Sequence, residues 1–471
     1  MKLNPIARSC LISALLIWLP DVGRVGRMAA AAPGQVERDG PVTFAKDIVP
    51  ILQRSCQDCH RPGSVAPMSL LTYDEVRPWA RSIKLRTSRR EMPPWFIEKN
   101  VGIQKFKNDP SLSDEEIALI ATWVDSGARL GNPADMPPPR RFPDKDAWSI
   151  GTPDLIVSSP VVDLKAVAPD FWGPLDSSAT GLTELRYIKA VEIKESTVAK
   201  SMPAKESSGK RTGGDLSLFA VHHAQIRTDD GQDGERPVAG RRTTGSSFSL
   251  VYEVGQNAMV YPDEVGVTLA PGSALTHDVH FHSVGRDVAV RYDVGFKLHP
   301  IGYKPKFSRP AGLGSIFPAY DLDIPGGADN VRLDGVYTLT EPWLMTTYEP
   351  HLHSSGKRMC VAAVYPNGVR QMLNCSGYNH NWVRTYAYED DVAPLLPTGT
   401  TLHLTAWYDN TAGNPRVVDP RNWKGFGDRS IEDMFGFLPT VVRLTEDEYK
   451  RELAARQGKR PSRTSTQQNN P

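Results

Sequence analysis

Cysteine is scarce in this chain. Its 471 residues include five, and none lies between Cys59 and Cys360. A disulfide framework is therefore excluded over that long interval, where any fold must rest on its apolar core. Excess charge is missing too: 55 Lys and Arg against 54 Asp and Glu leave a formal net charge of +1. No global field favours a nucleic acid or an anionic membrane surface, so neither is an expected partner. Long apolar runs are absent beyond the N-terminus. The run Cys10 to Leu19 stops at Pro20, short of the roughly 20 residues that a spanning helix needs. With Lys2 and Arg8 before it and the small residues Ala29 to Ala32 after it, this run reads as a signal peptide over 1–32, and the product is expected to be secreted or periplasmic with no membrane span. Cys10 would leave with the signal, so four cysteines remain.

What is abundant is proline and glycine, 39 and 38 residues, more than a helical protein tolerates; they point to many turns and a largely β chain with local helical parts. The helical part comes first. Pro50 suits the first turn of a helix that runs into Cys56. Thr72, Asp74 and Glu75 precede Val76, Trp79 and Ile83, with Lys84, Arg86, Arg89 and Arg90 at the far end, the charge order that a helix dipole favours. Ser113 and Glu116 form a capping box before Ile117, Ile120, Trp123 and Val124, and Gly127 stops that helix. A proline-rich stretch, Pro133 to Pro143, follows. Beyond it the apolar period changes to two: Val288, Val290, Tyr292, Val294, Phe296 and Leu298 alternate with other residues, as do Leu402, Leu404, Ala406 and Tyr408. These are half-buried strands. Lys200 to Asp215 and Arg227 to Ser247 read as long surface loops, and Arg456 to Pro471 as a disordered tail.

Cys56-Gln-Asp-Cys59-His60 has the spacing by which two thiols add to the haem vinyl groups while the adjacent imidazole reaches the iron. A redox dithiol or half a zinc site are the competing readings, weakened by the following histidine and by the lack of a second cysteine pair. Met92, in Glu91-Met-Pro-Pro-Trp95, is the better sixth ligand because two prolines stiffen its loop; Met68 is the competitor, and either could instead be core packing. With its three helices, the region from about Val42 to Leu130 resembles the monohaem class I cytochrome c domains. That resemblance implies one covalent haem c and a one-electron carrier.

The other ten histidines fall largely in clusters within the β region: His222-His223 after Leu218-Phe-Ala-Val221, His280-Phe-His282 with His277 just before, and His351-Leu-His353. In a strand, an i, i+2 pair puts both imidazoles on one face, whereas adjacent histidines converge only if the backbone bends. Any one cluster could be chance. Three in one exported chain point to metal, and imidazole with thioether available suits copper.

Trp148 to Val157, Gly181-Leu-Thr-Glu-Leu-Arg-Tyr187, Val221-His-His223, Val279-His-Phe281, His351-Leu-His-Ser-Ser-Gly-Lys357 and Ile431-Glu-Asp-Met434 resemble, in this order, motifs of the copper type II ascorbate-dependent monooxygenases. These include the peptidylglycine alpha-hydroxylating and dopamine beta-hydroxylating enzymes. The resemblance spans Trp148 to Leu444 and implies two tandem antiparallel jelly-roll β-sandwiches. It also implies two copper ions: an electron-storing one on His222, His223 and His280, and an oxygen-binding one on His351, His353 and Met434, where a soft thioether favours Cu(I). His282 could replace His280; His277 is a weaker candidate. Disulfides in the family's second sandwich, together with an exported context, imply a Cys360–Cys375 bridge. The peptidylglycine enzymes hold a substrate carboxylate with an arginine just before the His-x-His pair. Here that stretch is Thr347-Tyr-Glu-Pro350, and a glutamate cannot hold a carboxylate.

The resulting expectation is a multidomain chain with a small all-α cytochrome c domain followed by two jelly-roll sandwiches. Its segments are a signal peptide (1–32), the cytochrome c domain (42–130), a linker (131–147), first and second sandwiches (148–325 and 326–447) and a polar, partly disordered tail (448–471). The expected function is a copper monooxygenase that hydroxylates a C–H bond of a small organic substrate with O2. An external donor would supply electrons through the fused haem, or ascorbate would supply them. The alternative is a copper and haem electron-transfer protein without oxygenase activity.

Overall fold

The computed structural model describes residues 40–458, apart from 63, 65, 143–146, 170, 198–219, 230–247, 254–257, 428 and 430. The expected signal peptide, most of the two polar loops and the end of the tail lie outside the described residues. Among the described residues no helix is long and apolar enough to cross a membrane.

The local signals in the first part act as read. Pro50 lies in the first turn of Val49–Ser55. Thr72 and Glu75 form a capping box ahead of Tyr73–Val76, and Ser113 and Glu116 form another ahead of Asp114–Asp125. Between Tyr73–Val76 and Ala80–Ser88 the chain passes through a 3-10 turn, Arg77–Trp79, where Pro78 has no N–H to give to an α-helical ladder. These helices bury Phe44, Ile48, Leu52, Val76, Ile120 and Trp123 together in a small core of their own.

The all-α expectation for 42–130 is overturned. Ile97–Gly102 is a β-strand, and it pairs antiparallel with Arg370–Gly377 at the edge of a five-stranded sheet. The pairing continues as the Ile103 N–H donates to the Leu373 carbonyl at 2.8 Å. Gly102 is needed here, because its φ is +67° and a Cβ would stand 2.0 Å from the Leu373 oxygen. Trp95 and Phe106, on either side of this strand, are buried in the main β core rather than in the helical one. Trp95 meets Tyr386 with ring centroids 4.8 Å apart, and Phe106 stacks on Tyr388 at 5.1 Å. The physical reason is the apolar content of 95–106, which these short helices cannot cover, combined with a sheet edge whose free N–H and C=O groups accept another strand. The described chain from Val42 onward forms one compact unit and is mostly β, so the helical segment is not a separate cytochrome c domain. The proline-rich stretch also packs back on it: Gln53 donates to the Pro138 carbonyl at 2.9 Å and Arg140 pairs with Asp58 at 2.8 Å.

Two layered antiparallel β regions follow. In the first, a sheet that orders the strands Phe171–Ala179, Ala274–Phe281, Val221–Asp229 and Ser249–Glu253 faces a larger sheet centred on Val288–Leu298 and Arg186–Thr197. The faces meet through Phe248 and Phe296, 5.5 Å apart. All six alternating residues from Val288 to Leu298 are buried, as their period demands. The second region is built on the sheet that Ile97–Gly102 extends, with Arg370–Gly377, Gly356–Val364, Thr401–Tyr408 and Val331–Thr338 in that order. Cys360 and Cys375 stand opposite each other in this sheet and form a disulfide. Part of the expected tail is ordered: Glu446–Gly458 is a helix, tied to Ala393 by Arg456.

Candidate metal and haem centres

Cys56 closes the helix Val49–Ser55, and a tight turn follows in which the Cys59 and His60 N–H groups both donate to the Cys56 carbonyl, at 3.2 and 2.9 Å. Both thiols are free of disulfides. Burial pushes Cys56 up to about 12 and also raises Cys59. His60 Nδ1 is 3.3 Å from the Met68 carbonyl, a bond in which Nδ1 donates and Nε2 keeps its lone pair for a metal. Burial lowers the pKa of His60 and so favours that neutral ring. Two free thiols and an oriented imidazole fit a covalently held haem. Met92 is 42 % exposed and lines a cavity of about 660 Å³ with Thr87, Arg90 and Trp95, whose walls do not include Cys56, Cys59 or His60. Met68 stands near His60 through its backbone carbonyl.

His222, His223 and His280 come together as expected. Two adjacent strand residues normally point to opposite faces. Here the pairing of Val221–Asp229 with Ala274–Phe281 slips: His280 stands opposite His223, but Phe281 stands opposite Val221, so His222 is the extra residue of a bulge. A bulge re-aims its side chain, and both histidines then converge on His280. The His223 Nδ1 lies 2.9 Å from the His222 Nδ1 and 3.3 Å from the His280 Nδ1. Two nitrogens bound to one ion at about 2.0 Å each would lie roughly 2.8 to 3.3 Å apart at angles between square and tetrahedral. All three rings are buried, with Trp172 packed on His223 at 4.3 Å. Burial and the neighbouring imidazoles hold His223 far below the usual histidine range, so it is a neutral donor. Three convergent imidazoles fit copper.

His282, two residues beyond His280, is half-buried, its ring 4.4 Å from that of His222 and 4.6 Å from that of His280. His277 is elsewhere: its Nδ1 is 2.7 Å from the Tyr292 hydroxyl and its Nε2 3.0 Å from the Ser178 hydroxyl. With both nitrogens engaged it is a core residue that ties the two sheets together. His277→Gln should leave metal content unchanged and lower stability at neutral pH by about 1–3 kcal/mol. Burial lowers the folded pKa of His277 from 6.5 to about 4. Its contribution is thus present above pH 6.5 and is lost as pH falls toward 4, where the unfolded chain binds the proton first. The loss amounts to as much as roughly 3 kcal/mol. Urea denaturation at pH 7 and pH 5 should therefore show a smaller drop in the variant than in the parent.

His351 and His353 have ring centroids 5.6 Å apart and are buried, as is Met434. Asp433 joins their segments. One of its carboxylate oxygens accepts from the backbone N–H groups of His353 and Met434 at 2.9 and 3.0 Å, and the other accepts from the Ser355 N–H and hydroxyl. Tyr408 adds a bond from its hydroxyl to the Met434 carbonyl at 2.8 Å. The His353 Nδ1 lies 3.2 Å from the Arg429 carbonyl, which again reserves Nε2 for a ligand role. Burial lowers His351 to about 3 and His353 to about 4, so both are neutral. Glu349, in the stretch just before the His-x-His pair, is buried and accepts a hydrogen bond from Thr385; burial pushes its carboxyl up to about 7.

His380 stands alone in Tyr378-Asn-His-Asn-Trp382, with no neighbouring histidine in sequence to mark it. The fold places its ring 5.4 Å from His222 and 5.3 Å from His353, between the two donor sets. Those sets, far apart in sequence, are therefore neighbours.

No family model and no curated protein matches the chain. Solved structures give distant likenesses. Empty particles of cowpea mosaic virus are 10% identical over 64% of this chain and 93% of theirs, with a TM-score of 0.29. The T13 particle of infectious bursal disease virus is 10% identical over 61% of this chain and 69% of its own, with a TM-score of 0.17. The tandem CBM22-1-CBM22-2 domain of Paenibacillus barcinonensis Xyn10C is 10% identical over 64% of this chain and all of its own, with a TM-score of 0.15. At these values the likenesses carry no argument about what the chain does.

Proposed function

We propose that this chain is an exported, copper- and haem-dependent monooxygenase that hydroxylates a C–H bond of a small organic substrate with O2. The observation that carries this reading is the buried convergence of His222, His223 and His280 beside a second buried pair, His351 and His353. Copper on these donors would supply one-electron redox and oxygen chemistry, and a haem on Cys56 and Cys59 one-electron transfer. The chain's own residues would do the positioning. The bulge at His222 turns two adjacent imidazoles onto one point, and Asp433 fastens the Met434 segment to the His-x-His loop. Burial keeps the imidazoles neutral and so able to donate to a cation.

The reaction consumes O2, two electrons and two protons and yields the alcohol and water, so an external donor is required. Residues that could carry electrons run between the helical part and the second β region. Trp95, three residues after Met92, contacts Tyr386 at 4.8 Å; Tyr386 contacts Tyr348 at 6.0 Å; and Tyr348 contacts Phe437 at 5.5 Å, beside the Pro350–His351 strand. The Cys360–Cys375 disulfide suits an oxidising compartment. The test is oxygen consumption by the copper-loaded, haem-containing protein with ascorbate as electron source. A panel of small aliphatic and aromatic compounds should include one that raises uptake and gains one oxygen atom from 18O2 per O2 consumed. If the loaded protein shows no substrate-dependent uptake, the chain is an electron carrier instead.

A further inference from the structure

The geometry points to His380 as an additional metal ligand that joins the two histidine sets into one continuous centre. This inference rests on the reading of those sets as copper donors, and nothing in the sequence motifs assigns it. His380 is 93 % buried, since only 7 % of it is exposed. Neither of its ring nitrogens has a hydrogen-bond partner among the described residues. A buried imidazole left in that state is unfavourable, because each nitrogen has given up water and gained nothing in return. What surrounds it are other imidazoles: His222 with centroids 5.4 Å away and His353 with centroids 5.3 Å away. Imidazoles that crowd together share one good partner, a transition-metal cation.

The local backbone holds the ring in that position. The strand Arg370–Gly377 ends at Tyr378, whose hydroxyl donates to the carbonyl of Leu352, the residue between His351 and His353. Tyr378 also receives a bond at its carbonyl from Arg416, at 3.1 Å. Asn379 then closes a turn, its side-chain oxygen accepting from the Asn381 N–H at 3.1 Å and its carbonyl from the Trp382 N–H at 2.9 Å. His380 is presented at the tip of this turn, toward the histidines of both strand systems. Burial and the nearby imidazoles lower its pKa well below the usual value, which keeps it a neutral donor.

The test is copper binding by the full-length, exported protein. In His380→Phe, which fills the same volume without a donor, copper retention against a competing chelator should weaken at least about tenfold for one ion, and the nitrogen hyperfine pattern of the Cu(II) spectrum should change. His380→Gln serves as a second variant, and the melting curves of the metal-free proteins check that each is folded. Unchanged retention and spectrum in folded variants overturn the inference while leaving copper binding by His222, His223 and His280 intact. If the parent itself takes up no copper, the reading on which the inference rests has failed. Anomalous diffraction at the copper edge from the loaded parent decides the matter without any substitution. An ion within about 2.3 Å of a His380 nitrogen is expected, and ions bound only to the other histidines refute the assignment.

Discussion

His223→Ala should release about one copper ion per chain, whereas Met434→His should release almost none. His223 is the middle donor of its group, with its Nδ1 facing those of both His222 and His280. Its removal leaves two imidazoles on separate strands and an open space where the third had been. Loss of a direct ligand should weaken binding by more than the roughly 10- to 100-fold typical of supporting residues. At Met434 the change substitutes one donor for another. An imidazole there would keep the metal but favour Cu(II), because the soft thioether that stabilises Cu(I) is gone. Copper analysis and the Cu(II) spectrum separate the two outcomes. In rapid mixing of pre-reduced protein with oxygen, Met434→His should react slowly. A His223→Ala protein that keeps its full copper complement and parental spectrum would remove the three-histidine centre from the account.

Covalent haem should disappear altogether from a Cys56→Ser, Cys59→Ser double variant. The two thiols sit at the ends of a single turn, free of any disulfide, beside an imidazole whose Nδ1 is already committed to the Met68 carbonyl. Each thiol forms one thioether, so each single variant should lose the doubly attached form and the double variant should hold none. Haem staining of the denatured polypeptide reads this directly, since only covalent haem survives denaturation. Haem that remains on the double variant after denaturation would refute the attachment site. Loss of haem is not expected to unfold the β regions, whose core contains neither cysteine nor His60.

Much of the site was legible in the chain because its signals are local. Cys56, Cys59 and His60 lie within one turn, and the capping boxes at Thr72 and Ser113 act within three residues. The alternation from Val288 to Leu298 states which side of a strand is buried; the His351-Leu-His353 pair was visible too, although only His351 stands in a strand, Pro350–His351, and His353 lies in the loop after it. The clustering of His222-His223 and His280-Phe-His282 was visible as well, although adjacent residues on a regular strand point apart. Their convergence depended on the bulge at His222, which arises from the register with a strand more than fifty residues later.

Other features were not written in any local pattern. Ile97–Gly102 became a strand because the edge of a distant sheet offered hydrogen bonds and because Trp95 and Phe106 found more apolar cover there than the short helices provide. His277 lies close to the histidine cluster in sequence, yet Tyr292 and Ser178 claim both its nitrogens in the core. His380 has no histidine neighbour in sequence, and a turn held by Tyr378 and Asn379 carries it between the two donor sets. By itself the sequence determined which residue types were available and where capping boxes and clear apolar periods would set a helix or a strand, since those signals depend on neighbours a few positions away. Only the tertiary structure decided which donors meet and which are spent on the core, because sheet register and edge pairing are set by burial and hydrogen bonding between segments that are far apart along the chain.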